Sequence, residues 1–432
     1  MIGIFALLAA ATLPISQAQT RLLSDYNNRL NSYFDMKQQG ITGNCIVQPR
    51  CSNEVSLIVK SLFTASILKP YRFVICSGGH TPYAGASNIE NGVTIDLQYI
   101  SAVNYDAKNS SVKVRPGATW DDSSVGVGGL TLGGGISYFS PEQGLISDNV
   151  LEFEVTSHPD LFMVLKRGNN NFGIVTSFQF RMFSYDGMWG GLVIYPETAI
   201  HAQFKALINF ANNIEKNLKG AAIVMPVYQS AVGADLILNA YDYPEPVWRP
   251  AAYNEFVAIP GNISDTTGLR NVFPRTGAQG VMTKAHKIYL DVLAKLKAKV
   301  TGDWEIYVLY QPQPPSYWQK SLEGGGNVLG LERFNGQVLC LYQPYISWQG
   351  AEQDKLFQKA GADLIKPICD YAESIGADNP YLCLDYADNT QDPLKGYGEE
   401  NVKKMKAAAK KYDPFGVFQN LVPGDFKISK VD

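Results

Sequence analysis

Residues 73–97 read FVICSGGHTPYAGASNIENGVTIDL and place His80 in a tight Ser-Gly-Gly-His turn between two apolar runs. Both runs are rich in the β-branched and aromatic residues that favour strands, and the paired glycines let the backbone turn sharply and approach another group closely. Upstream, EVSLIVKSLFTASILKP repeats apolar residues at helical spacing and stops at Pro70. The sequence therefore predicts a helix that leads into a buried strand, followed by a turn that carries one of only four histidines in the chain.

A second glycine-rich stretch, VGVGGLTLGGGISYFS, begins at Val125 and stands between strand-like runs. It matches neither common phosphate-binding motif. No G-x-x-x-x-G-K-[ST] is present, and Thr131 occupies the position that the third glycine of G-x-G-x-x-G requires. Glycine density alone leaves two interpretations open: the backbone approaches a flat or charged ligand at both stretches, or both are tight turns within an all-protein core.

The composition indicates a globular chain of two or three domains, with 432 residues of which 46% are hydrophobic and 18% charged. A net charge of -3 provides no electrostatic footprint for nucleic acid, so a small molecule is the expected partner. The four histidines lie far apart, the six cysteines form no C-x-x-C pair, and no G-x-S-x-G is present. We therefore expect neither a metal site nor a hydrolytic serine.

The first 18 residues have the pattern of a secretion signal, an apolar run followed by Ser16-Gln17-Ala18. The alternative is a buried N-terminal helix. No run is long and apolar enough to suggest a membrane partner. Glycosylation sequons at Asn109 and Asn262 fit secretion. Cys45 and Cys51 are close enough in sequence to bridge a loop, but the sequence leaves their pairing open.

After Met188 the pattern changes to that of a second domain. WGGLVIYP, AAIVMPVYQ and ADLILNAYDY are typical of strands in an antiparallel sheet, and helical stretches lie around residues 201–217 and 284–300. Turns such as YQPQPPSYW would suit a cleft that stacks a ring-bearing ligand, although core packing accounts for most aromatic residues.

The closing stretch YGEENVKKMKAAAKKYDPFGVF predicts an amphipathic helix that ends at Asp413-Pro414. Val402, Met405 and Ala409 fall on one side of this helix. Its lysine run is expected to form a solvated face rather than a binding surface.

Several motifs then occur together in a recognisable order: CIVQP, SGGHTPYAGASN with IDLQ behind it, VGVGGLTLGGGISYFSPEQGLISDNV, NNFGIVTSFQF and the closing helix. From about Cys45 to Lys427 the chain resembles the fungal FAD-linked oxidoreductases of the berberine-bridge-enzyme-like group, with a PCMH-type FAD-binding domain. The resemblance implies an α+β fold. Its expected parts are a signal peptide (1–18), a two-part FAD-binding domain (41–185), a substrate domain with a helix-covered antiparallel sheet (186–380), and a C-terminal segment that returns to the FAD domain (381–427).

The resemblance also implies the site. In such relatives the histidine that matches His80 is bonded to the 8α carbon of the flavin, and an imidazole flanked by glycines suits that role. A solvent-facing turn histidine is the alternative. Asp122 stands where some relatives attach the flavin a second time through cysteine, so a single link is expected. The implied cofactor-binding residues are Ser77, Gly78, Gly79, His80, Thr81, Gly126, Gly128, Gly129, Thr131, Gly133, Gly134, Asp148, Asn149, Val150, Gly173, Ile174, Val175 and Asp385.

The chain departs from the family pattern in four places. Cys76 replaces a usual arginine, which would remove a guanidinium from the turn. The segment after Trp120 is short, Arg167 and Asn169 replace small residues, and Cys383 stands where relatives often have a candidate base tyrosine. Tyr386, with Tyr138 behind it, is then the expected catalytic base.

The function implied by the resemblance is that of a secreted, monomeric oxidase. Such an enzyme takes a hydride from an alcohol, amine or ring carbon of a sugar or secondary metabolite and reduces dioxygen to hydrogen peroxide. The alternatives are a degenerate or mis-spliced member that does not bind FAD productively, and a carbohydrate-binding protein without redox chemistry.

Overall fold

The computed structural model describes residues 25–120, 125–155, 159–216, 218–270, 282–334 and 336–432. These residues form three β-sheets with helices packed on them, and they confirm the predicted α+β fold. The predicted leader, residues 1–18, lies outside the described residues.

The N-terminal part of the chain forms a small parallel sheet with helices around it. In chain order its elements are a helix over residues 25–31 (α1), α2 (Met36–Gln39), β1 (Cys45–Val47), α3 (Ser52–Ser66), β2 (Phe73–Cys76) and β3 (Val93–Asp96). β3 lies between β1 and β2 and pairs with both in parallel. The predicted helix before His80 is α3, and the predicted strand is β2.

The next part forms a four-stranded antiparallel sheet in the order β4-β5-β7-β6. Its elements are β4 (Val103–Asp106), β5 (Ser111–Val114), α4 (Val127–Gly133), α5 (Ser140–Gln143), β6 (Val150–Phe153), α6 (Pro159–Leu165) and β7 (Phe178–Arg181). The glycine-rich stretch therefore contains a short helix, α4. It is helical because Val127 and Leu132 are drawn into the apolar core of this sheet.

Backbone hydrogen bonds join the residues on either side of the short segment that follows Trp120. The backbone N–H of Trp120 donates to the carbonyl of Val125 at 2.9 Å, and that of Val127 donates to the carbonyl of Ala118 at 2.9 Å. Residues 121–124 themselves lie outside the described part. Antiparallel backbone pairing of the residues on either side of this segment thus connects the chain that follows β5 directly to α4.

The third sheet has seven antiparallel strands in the order β11-β8-β10-β9-β13-β14, with β12 beside β8. The elements of this part are β8 (Met188–Pro196), α7 (Ile200–Asn212), β9 (Ala221–Gln229), β10 (Ala234–Tyr243), α8 (Asn254–Val257), β11 (Ser264–Asp265), β12 (Gly268–Arg270), α9 (Met282–Lys297), β13 (Trp304–Gln313), α10 (Ser316–Glu323), β14 (Leu339–Trp348) and α11 (Asp354–Ser374). One face packs against α7, α9 and α11 through Phe204, Tyr289 and Phe357. The sheet is therefore covered by helices, as predicted.

The end of the chain packs against the two N-terminal sheets. Its helix is α12 (Glu399–Tyr412), whose buried side includes Val402, Met405 and Ala409, as the amphipathic pattern predicts. Beyond it, Val417 and Val422 pack into the core of the parallel sheet. The C-terminal segment thereby returns to the loops that follow β2 and α4.

Three further observations bear on the sequence predictions. All six cysteines are free thiols, so Cys45 and Cys51 do not form the bridge that the sequence left open. Within the described ranges, no helix is long and apolar enough to cross a bilayer. The same part of the chain contains no group of three His, Cys, Asp or Glu side chains able to hold a metal ion.

Candidate functional site

A cleft opens where the loops of the two N-terminal sheets meet the C-terminal segment. Its walls come from the turn after β2, from α4, from the loop before β7 and from C-terminal residues around 385 and 425. Segments that are distant in sequence thus build one site. The predicted cofactor-binding residues that line it are Ser77, Gly78, Gly79, His80, Thr81, Gly126, Gly128, Gly129, Gly173, Ile174, Val175 and Asp385.

The other predicted cofactor-binding residues do not line the cleft. The Asp148 carboxylate accepts hydrogen bonds from the backbone of Leu145 at 3.0 Å and from Asn327 Nδ2 at 3.1 Å, so it fixes the loop before β6. Asn149 Nδ2 donates to the carbonyl of Gln143 at 3.0 Å in the same loop. This group comprises Thr131, Gly133, Gly134, Asp148, Asn149 and Val150.

The floor of the cleft is a direct backbone contact between the two glycine stretches. A methyl group on Gly126 would lie 2.3 Å from the Gly78 nitrogen and 2.3 Å from Ser77 Oγ, so only glycine fits at position 126. The Ser77 hydroxyl donates to the carbonyl of Pro116. Ser77 therefore holds the turn in place with its hydroxyl, while the floor beside it consists of bare backbone.

Gly129 differs from Gly126 because it faces open space. No atom lies within 4 Å of the position that a methyl group on Gly129 would take, and Gly129 lines the cleft. The helix α4 thus presents a side without side-chain atoms to the cleft. A planar or phosphate-bearing ligand can approach the backbone there.

The His80 turn is supported from behind by the N-terminal helices. Gly79 has φ +72°, and its carbonyl accepts a hydrogen bond from the backbone of Phe34 at 3.1 Å. The Phe34 ring stacks on the His80 imidazole with a centroid distance of 4.2 Å. Gln38, which is fully buried, donates to the carbonyl of Thr81 at 3.1 Å. The imidazole is thereby held at the edge of the cleft.

Arg29 supplies the guanidinium that the sequence appeared to lack beside this turn. Its Nη2 lies 2.9 Å from Cys76 Sγ, 3.1 Å from the carbonyl of Ser77 and 2.8 Å from Asp96 Oδ1. Burial raises the pKa of the Cys76 thiol to about 11, so the thiol is neutral and the charge partner of Arg29 is Asp96. The inference that Cys76 leaves the turn without a guanidinium is therefore corrected.

Asp385 closes the cleft from the C-terminal side. Its Oδ2 accepts a hydrogen bond from the backbone of Gly135 at 2.8 Å, and its Oδ1 occupies the space that a methyl group on Gly133 would need. Burial raises the pKa of Asp385 to about 7, against the opposing effects of the Gly135 hydrogen bond and the nearby charge of Arg167. The site therefore holds a carboxyl group that changes its protonation near neutral pH.

Arg167 and Asn169 adopt backbone conformations that favour glycine. Arg167 has φ +90° and is 1% exposed, and its side chain turns inward toward Gly134 and pairs with Asp148 at 3.9 Å. Asn169 has φ +51° and lines the cleft. The large side chain of Arg167 thus stays outside the cleft, and only the amide of Asn169 reaches it.

Neither predicted catalytic tyrosine lines the cleft. The Tyr138 ring packs against Phe139 with a centroid distance of 4.5 Å. Tyr386 lies in a short helical turn, where its backbone N–H donates to the carbonyl of Cys383 at 3.0 Å. Burial raises the pKa of Cys383 to about 12, so this thiol is no base at neutral pH.

Two polar side chains that line the cleft, Tyr83 and Asp425, were not among the residues predicted from the sequence. The Tyr83 hydroxyl donates to Asp425 Oδ1 at 2.6 Å. Tyr83 could have been found from the sequence, because it follows His80 by only three residues. No local pattern pointed to Asp425, because the two residues are 342 positions apart.

The residues present fit an FAD molecule. The bare backbone at Gly129 leaves room for a flat or phosphate-bearing group, and Ile174, Val175 and Leu132 add apolar wall. His80 stands at the edge of the same space as a nucleophilic side chain able to form a covalent link.

Comparisons with known proteins support this fit. No family model matches the chain. The chain is 33% identical over 457 residues to the FAD-dependent monooxygenase drtC of Aspergillus calidoustus, and the alignment covers 94% of this chain and 87% of that protein. It is 35% identical over 458 residues to the FAD-dependent monooxygenase sdcF of Emericella nidulans, which covers 94% of each. Both alignments are longer than the 432 residues of this chain, so each relative has residues that this chain lacks.

Solved structures with the same fold include Physcomitrella patens BBE-like 1, with a TM-score of 0.69, 14% identity, and coverage of 92% of this chain and 95% of that one. A second is xylooligosaccharide oxidase from Myceliophthora thermophila C1 in complex with xylobiose, with a TM-score of 0.67, 16% identity and coverage of 96% and 97%. The glycopeptide hexose oxidase DBV29 complexed with teicoplanin matches with a TM-score of 0.69, 15% identity and coverage of 90% and 95%.

The fold and the cleft define a flavoprotein of the oxidoreductase class. The chain belongs to the fungal FAD-linked oxidoreductases of the berberine-bridge-enzyme-like family, with a PCMH-type FAD-binding domain. The resemblance seen in the sequence is thereby confirmed.

We predict that Arg29→Ala lowers the free energy of unfolding by about 3–5 kcal/mol, because it leaves the fully buried Asp96 carboxylate without its positively charged partner. Urea unfolding at neutral pH measures this change. In the control Lys219→Ala, which breaks a half-exposed pair with Glu245, the loss should be at most about 1 kcal/mol. Equal losses in the two variants would contradict the role given to Arg29.

We predict that Gly129→Ala folds normally but carries less flavin, because the added methyl group projects into the cleft and meets no protein atom. Flavin absorbance per mole of purified protein measures the cofactor content, and thermal unfolding measures stability. The matched control is Gly361→Ala on α11, where a methyl group also meets no atom within 4 Å. Both variants should gain up to about 1 kcal/mol of helix stability, and only Gly361→Ala should keep its flavin.

We predict that Asp385→Asn becomes more stable than the wild type as the pH rises from about 4 to about 7. The folded chain binds the Asp385 proton more tightly than the unfolded chain does, so wild-type stability falls across this window while asparagine does not titrate. The stability difference should change by on the order of 4 kcal/mol across this window and then stay constant above about pH 7. A stability difference that does not vary with pH would show that folding does not raise the pKa of Asp385.

Proposed function

We propose that this protein is a secreted FAD-dependent oxidase that removes a hydride from an alcohol, amine or ring carbon of a sugar or secondary metabolite and passes the electrons to dioxygen. Hydrogen peroxide is the second product. The observation that carries the proposal is the position of His80 at the edge of a cleft whose floor is bare glycine backbone. The FAD-dependent relatives support the redox class.

In this proposal the chain contributes binding, orientation and the exclusion of water. His80 would tether the flavin through one covalent link, and the backbone around Gly78 and Gly129, which lines the same cleft, would contact it. Ile174 and Val175 provide apolar wall that keeps water out. The chemistry that FAD supplies when bound is acceptance of a hydride from carbon and delivery of two electrons to dioxygen.

Support for the substrate class comes from the names of similar proteins. The xylooligosaccharide oxidase and the glycopeptide hexose oxidase act on sugars, and the two fungal relatives are named monooxygenases. An oxidase releases one peroxide for each substrate oxidised, whereas a monooxygenase places oxygen in the product. Stoichiometric peroxide with no label incorporated from ¹⁸O₂ is the expected result for this protein.

Secretion and a monomeric state belong to the same proposal. Both sequons support secretion, because Asn109 lies at the exposed turn between β4 and β5 and Asn262 lies in the exposed loop before β11. Both sites are therefore open to glycosylation in the folded protein.

We predict that acid denaturation of the full-length wild-type protein leaves yellow, fluorescent flavin attached to the chain. In His80→Ala the flavin should separate completely from the denatured protein, because the variant lacks the ring nitrogen that forms the link. Filtration followed by absorbance of the retained fraction measures this.

The matched control is His201→Ala, which removes an exposed histidine on α7 outside the cleft. It should keep its flavin after denaturation. A colourless wild-type protein would support the alternative of a family member that does not bind FAD productively. Flavin retained by His80→Ala would assign the link to another residue.

A further inference from the structure

Packing contacts fix both members of the hydrogen-bonded pair Tyr83–Asp425 in position. The Tyr83 ring packs edge-on against Phe426, with centroids 6.3 Å apart, so the hydroxyl has a fixed direction. Gly424 lies against the chain after Tyr83, and a methyl group there would stand 2.6 Å from the carbonyl of Ala86. The turn after His80 and the C-terminal segment therefore form one rigid wall of the cleft.

Asp425 is the centre of a hydrogen-bond chain that runs inward from the cleft. Its Oδ1 accepts from the Tyr83 hydroxyl at 2.6 Å, and its Oδ2 accepts from Asn170 Nδ2 at 3.3 Å. Asn170 Oδ1 in turn accepts from the ammonium of Lys427, which is 2% exposed. Asp425, Tyr83 and Asn170 line the cleft, and Lys427 lies behind them.

The backbone of this group is strained. Asp425 has φ +64° and neighbouring Asn169 has φ +51°, conformations that an L-residue adopts at a cost of about 1–3 kcal/mol. Such strain persists only where surrounding contacts enforce it, and it concentrates at functional sites. The carboxyl of Asp425 is thus kept at the cleft at a cost in stability.

The charges around the pair set how it titrates. Burial raises the pKa of Asp425, and the hydrogen bonds of Tyr83 and Asn169 and the charge of Lys427 oppose this increase. Asp385 also lines the cleft, and the negative charge of Asp425 contributes to the raised pKa of Asp385. Burial and the carboxylates of Asp425, Asp388 and Asp385 raise the pKa of Tyr83 well above its usual value. Free phenolate therefore does not form, and any proton that reaches Tyr83 passes on to Asp425.

We propose that Tyr83 and Asp425 form a proton relay that deprotonates a substrate hydroxyl during oxidation, which makes the substrate of this enzyme an alcohol. The inference rests on the proposed oxidase function. The substrate hydroxyl transfers its proton to Tyr83 Oη while the Tyr83 proton moves to Asp425 Oδ1. With FAD bound, the cofactor would accept the hydride that leaves the C–H bond of the same carbon, and the carbon–oxygen bond would become a carbonyl. Asp425 then returns its proton to solvent.

A positional argument supports the relay over the tyrosines predicted from sequence. Tyr83 lines the cleft together with His80, three residues before it, whereas Tyr138 and Tyr386 do not line it. Cys383, at the position where relatives often have tyrosine, is 5% exposed and also lies outside the cleft lining. Among these candidates, only Tyr83 combines access to the cleft with a hydrogen-bonded acceptor for its proton.

The test compares Tyr83→Phe and Asp425→Asn with the wild-type holoenzyme on a panel of alcohols. Each variant keeps the shape of its side chain and should lower kcat by about 100-fold or more, with KM changed little, because it removes proton transfer and leaves binding intact. When kcat of the wild type is measured against pH, it should fall at low pH because Asp425 becomes protonated, and in Asp425→Asn this fall, the acid limb of the profile, should be absent. The matched control Asp388→Asn changes an exposed carboxylate near Tyr83 outside the cleft lining and should keep both kcat and the limb.

A second readout does not depend on activity. Thermal unfolding of the full-length chain should show Asp425→Asn gaining stability over the wild type as the pH rises above about 4, because the folded state holds the Asp425 proton more tightly than the unfolded state does. A melting-temperature difference that is constant from pH 4 to 8 would show that folding does not raise the pKa of Asp425, and it would contradict the buried, hydrogen-bonded position from which the relay is inferred. An active holoenzyme whose Asp425→Asn variant keeps its acid limb would overturn it as well. If the wild type binds no flavin, the oxidase proposal fails instead.

Discussion

The contact between Gly78 and Gly126 is the constraint on which the site depends. Because a methyl group on Gly126 would lie 2.3 Å from the Gly78 nitrogen, any side chain there would push α4 away from the turn after β2. The contact leaves backbone alone at the floor of the cleft, and a flat ring can lie against backbone more closely than against side chains. The surrounding structure holds the two stretches together. The Arg29 guanidinium donates a hydrogen bond to the carbonyl of Ser77 in the turn, and the Asp385 carboxylate accepts one from the backbone of Gly135 just after α4.

The electrostatics of the cleft follow from the same arrangement. The C-terminal segment brings two carboxyl groups, Asp385 and Asp425, to one wall, and burial raises the pKa of both. Arg167, turned inward at φ +90°, provides compensating positive charge without entering the cleft. Burial thus makes both carboxyl groups easier to protonate than exposed carboxyl groups, and Asp385 changes its protonation near neutral pH.

Local patterns in the sequence predicted the parts of the structure that local forces determine. The His80 turn, the amphipathic α12 and the antiparallel third sheet each follow from glycine placement or hydrophobic period. The helical state of α4 was missed, because seven residues with three glycines favour a helix only when the core takes up their apolar side chains. Arg29 and Asp425 were missed for another reason. Their partners lie 48 and 342 positions away in the sequence, and only the folded chain brings them together.

Peptide mapping of the purified wild-type protein tests most directly the proposal that the cleft holds a flavin fixed to His80. After proteolysis and separation by mass, we expect a single flavin-bearing peptide, whose sequence includes SGGHTPYAGASN and whose added mass localises to the histidine. A digest without any flavin-bearing peptide, or one in which the flavin is attached to a peptide that lacks His80, would contradict it.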